Sequence, residues 1–182
     1  MELFRRAGDE EGAVAATRAL AFVHDSSGDT ERARALHEAN LGRARELGYL
    51  DTEAGTLGSL TTIAIQEGRA DDARELAREN LLAAQRLRSL RAMAESLVRT
   101  ADVLARFFGR AETAAALLAC FDSLHDRIGV SGAWVGRWNE ELRAELRGRL
   151  DQATLAEAWE RGAKLTVDKA VALALAELEP HS

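Results

Sequence analysis

The chain has 182 residues, a net charge of −6, 30% charged and 47% apolar side chains, and a single proline at Pro180. Its cations are almost all arginine, with only Lys164 and Lys169 as lysines, and an acidic balance of this kind excludes a nucleic-acid-binding surface as the main activity. With no interior proline, abundant alanine and few aromatics, the composition favours an all-α chain, and a lone cysteine, Cys120, excludes an intrachain disulfide.

Taken in chain order, Leu3 to Gly8 reads as the end of a helix with nothing before it. A terminal repeat normally carries a polar cap. The start therefore reads either as the tail of something longer or as a free-standing piece whose open N-terminal face could self-associate. It carries no apolar leader, and no apolar run reaches membrane-spanning length, so a cytoplasmic location is expected.

From there a pattern recurs. Gly28, Glu31, Ala33 and Leu36 form one copy; Gly68, Asp71, Ala73 and Leu76 a second; Gly109, Glu112, Ala114 and Leu117 a third. The turn glycines are 40 and 41 residues apart, and a fixed period in this range signals stacked helix pairs. Glycine suits the left-handed residue of a tight inter-helix turn. The acid falls in the first turn of the following helix, where the dipole favours it. The alanine and leucine share one face, the small residue letting two helices approach. A second punctuation series, ending at Gly8, Gly48, Ser89 and Gly129, runs half a period away and closes the second helix of each pair.

Repeat one thus spans about 9–48, with Val14, Leu20, Ala21 and Val23 on helix A and Ala33, Leu36, Leu41 and Leu47 on helix B. Repeat two spans about 49–89, with Leu57, Leu60, Ile63 and Ala64, then Ala73, Leu76, Ala77 and Leu81. Repeat three spans about 90–129, with Leu97, Val98, Ala101, Leu104 and Ala105, then Ala114, Leu117, Leu118 and Phe121. After a break at 130–133 the period is lost. Trp134 and Trp138 share a face with Leu142 and Leu146; Asp151 to Ala163 forms a helix bearing Leu155 and Trp159, with Gly162 in its terminating turn; Thr166 caps a last helix bearing Val171, Leu175 and Leu178. Residues 130–182 read as a helical C-terminal cap over repeat three.

The turn pattern resembles the tetratricopeptide repeat, with Leu20, Leu60 and Ala101 eight residues before their glycines. The longer period is similar to repeats in the C-terminal half of bacterial LuxR-type, MalT-like NTPase regulators. The tail, in which Ala158, Trp159, Gly162, Leu165 and Thr166 precede an alanine–leucine helix, resembles the ending of many actinobacterial members. The resemblance covers nearly the whole chain. It implies a right-handed superhelical α-solenoid whose first helices line a concave face. It departs in having no proline in 130–140, and the NTPase and DNA-binding parts of such regulators are absent, so their activities are not carried over. The inward positions it implies are Arg18, Phe22 and Asp25 in repeat one, Ser59, Thr62 and Gln66 in repeat two, and Arg99, Val103 and Arg106 in repeat three.

Chemistry is sparse. Gly162, Lys164 and Thr166 lack the adjacency of a phosphate loop. His37-Glu38 has Leu41 where a second metal-binding histidine would stand, and Asp25, Ser27 and Asp29 lack the glycine and the final glutamate of a calcium loop. His24, His37, His125 and His181 show no ligand spacing, and Cys120 lies on an apolar stretch as a small core residue. No catalysis, metal or cofactor is expected. The expected role is a non-catalytic interaction or sensor module, binding a protein or peptide partner on the concave face, with no direct nucleic-acid or membrane contact. The alternative is a small-molecule effector receptor, with the ligand between repeat three and the cap near Trp134, Trp138 and Phe107.

Overall fold

The computed structural model describes residues 9–128 and 133–179, apart from the side chains of 126–138. The readings at Leu3–Gly8, Gly129, Trp134 and Trp138 lie outside the described residues. The described residues form nine helices and no strand: α1 (Glu10–Ser26), α2 (Thr30–Leu47), α3 (Leu50–Gln66), α4 (Ala70–Leu87), α5 (Leu90–Phe108), α6 (Ala111–Ile128), α7 (Ala133–Arg149), α8 (Gln152–Ala163) and α9 (Val167–Leu178). Among them, no helix is long and apolar enough to cross a membrane.

The turns follow the sequence pattern closely. Gly28, Gly68 and Gly109 have φ of +83°, +71° and +67°, the left-handed region that only glycine enters freely. At the first two, the residue after the glycine donates its N–H to a carbonyl of the preceding helix, from Asp29 to His24 and from Arg69 to Ala64, both at 2.9 Å. Glu31, Asp71 and Glu112 stand in the first turns of α2, α4 and α6. Ala33, Ala73 and Ala114 are all fully buried. Ala73→Leu is accordingly expected to cost about 1–3 kcal/mol by overpacking; a denaturation midpoint equal to that of the parent chain would contradict the register.

The second turn series departs by one residue. Gly48 is left-handed as expected, but in the next period the left-handed residue is Arg88, at φ 54°, and Ser89 instead accepts the Ala92 N–H as the N-cap of α5. A side chain in that backbone region costs about 1–2 kcal/mol. The serine therefore does not stand in for glycine: it caps the next helix.

Consecutive helices pack on one another from α1 to α8, and α1 also meets α3, α3 meets α5, and α5 meets α7. Beyond α7 the order changes. α8 lies against α6, and α9 turns back onto α5, α4 and α6, where Glu177 pairs with Arg110 at 3.1 Å and Glu179 with Arg78 of α4 at 3.4 Å. The main core runs from the end of α3 to α9, through Ala64, Leu97, Leu104, Leu117, Leu142, Leu146 and Leu178. A smaller cluster joins Leu41, Leu57, Leu60 and Ala83. Glu53, nearly buried, is held between Arg45 at 3.1 Å and Arg86 at 2.9 Å, which ties α2, α3 and α4 by charge.

Two expectations of burial fail on α1. Leu20 is 39% and Val23 59% exposed, although their counterparts Leu60, Ile63, Ala101 and Leu104 are buried. Among the described residues, α3 and α5 each lie between two other first helices, whereas α1 has α3 as its one first-helix neighbour.

Candidate functional site

The expected inward positions do not behave alike. Arg18 is half-exposed and pairs with Asp51 of α3 at 3.7 Å. Phe22 is 62% exposed, Gln66 is exposed, and Asp25 is partly covered, which pushes its carboxyl pKa up. Ser59 and Thr62 are partly exposed, and each hydroxyl donates back to a carbonyl four residues earlier, of Gly55 at 3.3 Å and Gly58 at 3.1 Å. Val103 is wholly buried and belongs to the core, so it cannot meet a partner. α5 is covered by α3, α7 and α9 as well as by α4 and α6, which puts Val103 inside.

Arg106 is committed within the chain. It donates to the buried carboxylate of Asp102 one turn earlier and lies 3.6 Å from Glu145 of α7. A bidding carboxylate from outside would have to displace both. Arg99 is only 12% exposed; its Nη1 donates to the Glu95 carbonyl at 3.1 Å, and the Glu95 carboxylate is 4.0 Å away. Burial pulls its guanidinium pKa down, with the Glu95 charge acting the other way.

What brings Arg18 and Arg99 together is the surface of α3. Gly55 and Gly58 lie in the interior of that helix, each costing up to about 1 kcal/mol relative to alanine. Their use is space. A Cβ at Gly55 would stand 2.9 Å from Nη1 of Arg18, and one at Gly58 would stand 3.0 Å from Cζ of Arg99. The two guanidinium groups, from α1 and α5, thus lie against the bare backbone of α3.

Beside them is a cavity of about 230 Å³, lined by Arg18, Asp51, Gly55, Asn80, Arg91, Glu95 and Arg99 among others. Asn80 comes from α4 and is 3% exposed; its Nδ2 donates to the Ala54 carbonyl at 2.7 Å. Its Oδ1 is buried without a hydrogen-bond partner among the described residues. Sequence reasoning found Arg18 and Arg99 but missed Asn80, Arg91 and the glycine floor. The available signals were the pair of glycines spaced i, i+3 inside an otherwise helix-favouring segment, and an asparagine twelve residues after the turn glycine in the first two copies, Asn40 and Asn80.

The glycines make opposite predictions. Gly55→Ala meets only the flexible end of an exposed arginine and is expected to raise stability by about 0.5–1 kcal/mol. Gly58→Ala meets a guanidinium held at 3.0–3.3 Å in a covered site and is expected to lower it by about 1 kcal/mol or more. Urea denaturation of both variants checks the pair; equal shifts of one sign would contradict the packing of Arg99 on α3.

Comparison with family models, curated proteins and solved structures finds no match to this chain.

A second concavity, of about 580 Å³, lies between α7 and α8. Leu146, Leu155, Ala156 and Trp159 line it, and the Arg143 guanidinium sits 5.7 Å from the Trp159 ring centre. Phe107, expected near such a site, packs instead as a half-buried residue against the main core. Cys120 is buried, its Sγ 3.8 Å from the Leu165 carbonyl, and burial pushes its thiol pKa up, away from the reactive thiolate.

Proposed function

We propose that the chain is a non-catalytic interaction and sensor module: a right-handed solenoid of tetratricopeptide-like helix pairs with a helical cap, acting as the C-terminal part of a bacterial signal-transduction regulator in the cytoplasm. The observation that carries this reading is the threefold recurrence of one turn, with its left-handed glycine, first-turn acid and fully buried alanine, joined to the direct packing of α1 on α3, α3 on α5 and α5 on α7. Stacked helix pairs of this kind present extended surfaces suited to partners. The partner-facing surface is then the one bearing Arg18, Phe22, Asp25, Ser59, Thr62, Gln66 and Arg99, without the buried Val103 and the internally paired Arg106. It is polar and of mixed charge, which suits a peptide bound by charge-assisted hydrogen bonds.

The test is fluorescence anisotropy with labelled short peptides of acidic, neutral and basic composition. Binding of the acidic set, weakened about tenfold by Arg18→Ala and by Ser59→Glu, is the expected result. Equal affinity of parent and variants would remove this face from the proposal.

One observation favours the alternative of a small-molecule effector receptor. The groove between α7 and α8, which lies within the cap and not at the expected place between repeat three and the cap, is mainly apolar, with a half-buried tryptophan at its wall, as ligand pockets commonly are. An effector seated there would change tryptophan emission, and Trp159→Phe would abolish that change. A peptide on the α3 face would leave emission nearly unaltered.

A further inference from the structure

We propose that α1 is a self-association surface, on which a second copy of this chain lays its own α1 antiparallel across a two-fold axis near Ala19. At roughly 100° per residue, Ala15, Ala16, Ala19, Leu20, Phe22 and Val23 fall on one arc of α1 about 160° wide, turned away from the buried Ala13, Val14 and Ala21. All six are exposed or partly exposed. Leu20, Phe22 and Val23 are three of the five large apolar side chains left exposed among the described residues. The charged residues of α1, Glu10, Glu11, Arg18 and Asp25, all fall outside the arc. An uncharged stripe wider than about 100° is the mark of a helix face that packs on another element. Phe22 borders the surface assigned above to a peptide, but the inference does not rest on that surface.

The repeat shows what such an arc does elsewhere. Ala16, Leu20 and Val23 hold the register positions of Thr56, Leu60 and Ile63 on α3 and of Leu97, Ala101 and Leu104 on α5, and all six counterparts are buried. The distribution of bulk along the arc selects the occupant. Phe22 and Val23 stand one turn after Ala19, and Ala15 and Ala16 one turn before it. An antiparallel copy turned about an axis at Ala19 sets each Phe22 over the other copy's Ala15 and each Val23 over its Ala16. Large meets small in both halves of the contact, the self-complementarity that an isologous interface requires. A parallel copy would set Phe22 against Phe22 and leave the alanines facing one another across a gap, which forfeits their dispersion contacts. The antiparallel order also places opposite ends of the two helix dipoles side by side. One helix pair is a contact at the small end of specific interfaces, so the dimer is expected to be weak and concentration-dependent.

The experiment is analytical ultracentrifugation of the full chain from about 1 μM to 1 mM, a span that covers weak dimers. A monomer–dimer equilibrium is expected, with no larger species, since a two-fold contact closes on itself. Val23→Glu sets a carboxylate against the other copy's alanines and is expected to weaken the dimer at least about tenfold. Val23 is largely exposed in the single chain, so the variant keeps its fold, which its circular dichroism and thermal melt check. The antiparallel axis has its own readout in the otherwise unchanged chain. Ala19→Cys puts two thiols together only where the axis passes, and it is expected to form disulfide-linked dimers under mild oxidation. Ser59→Cys, a partly exposed position on α3, serves as the control, and the native Cys120 is buried in both. A chain that stays monomeric throughout the range, whether this arc is idle or reserved for a different protein, would overturn the proposal. So would a dimer undiminished by Val23→Glu, or cross-linking of Ala19→Cys no faster than that of Ser59→Cys.

Discussion

Gly162→Ala should lower the stability of the chain by about 3 kcal/mol, the upper end of overpacking costs. On an exposed helix the same change is stabilising, by up to about 1 kcal/mol, because alanine has the higher helix propensity. The sign reverses here because of what a Cβ would meet. It would stand 2.1 Å from the carbonyl oxygen, 2.6 Å from Cα and 2.7 Å from the carbonyl carbon of Ala116. All three are backbone atoms of α6, so no rotamer change relieves the clash; α8 must move away as a body. The facing surfaces are built from small residues, Ala116, Ala119 and Cys120 on α6 and Ala158 and Gly162 on α8, all buried. Urea denaturation checks it, and a variant as stable as the parent would mean that α8 does not pack on α6 at this distance.

Acid should destabilise the chain through His37, a residue with no role in the binding surface. It occupies the position on α2 that Ala77 takes on α4 and Leu118 on α6, and like them it is buried. Its Nδ1 has no hydrogen-bond partner among the described residues. Burial, with the nearby charge of Arg18 adding to it, lowers its pKa to about 4. The unfolded chain takes up this proton near the ordinary value of about 6.5, and the folded chain only near 4. Between those values the unfolded state binds more protons, so stability falls as pH falls through this window, and it is unaffected by His37 above about 6.5. The loss by pH 4.5 should reach about 2–3 kcal/mol. His37→Leu keeps the site apolar and removes the titration. The difference between parent and variant, measured by denaturation at about pH 7.5 and 4.5, isolates this group from the carboxylates that titrate nearby. Parallel pH profiles would show that His37 is hydrated or paired in the folded chain.

These two residues also show where sequence reading stops. The helix pairs were legible because their signals are local: a left-handed glycine, an acid in the next first turn, and an alanine on one face repeat at a fixed period. Gly162 carried the opposite lesson. A glycine next to the end of a helix reads as a turn signal, yet it lies inside α8, with the chain continuing to Ala163. Its reason lies in α6, remote in sequence, and local pattern cannot reveal that. Sequence chemistry raises His37 only as a metal-ligand candidate, whereas its place in register with Ala77 and Leu118 makes it core. Ser89 stands in the glycine's place in the pattern, one residue from the left-handed Arg88, because capping and turn signals overlap when a helix begins directly after a turn.

The site was half legible for a similar reason. Arg18 and Arg99 follow from the repeat register, but register assigns a direction and says nothing of depth. Val103 points to neighbouring helices, and Arg106 is held by Asp102 and Glu145. The cavity depends on Asn80 reaching through from α4 and on Arg91 at the start of α5, a convergence of helices that no single periodicity encodes.

The most direct test of the central claim, that the surface formed by α1, α3 and α5 is the working face, is chemical-shift mapping of the isotope-labelled chain during titration with acidic peptides. The account predicts that the shifted amides cluster around Arg18, Gly55, Ser59, Thr62 and Arg99. Shifts confined to the groove around Leu155 and Trp159, with the α3 surface silent, would contradict it.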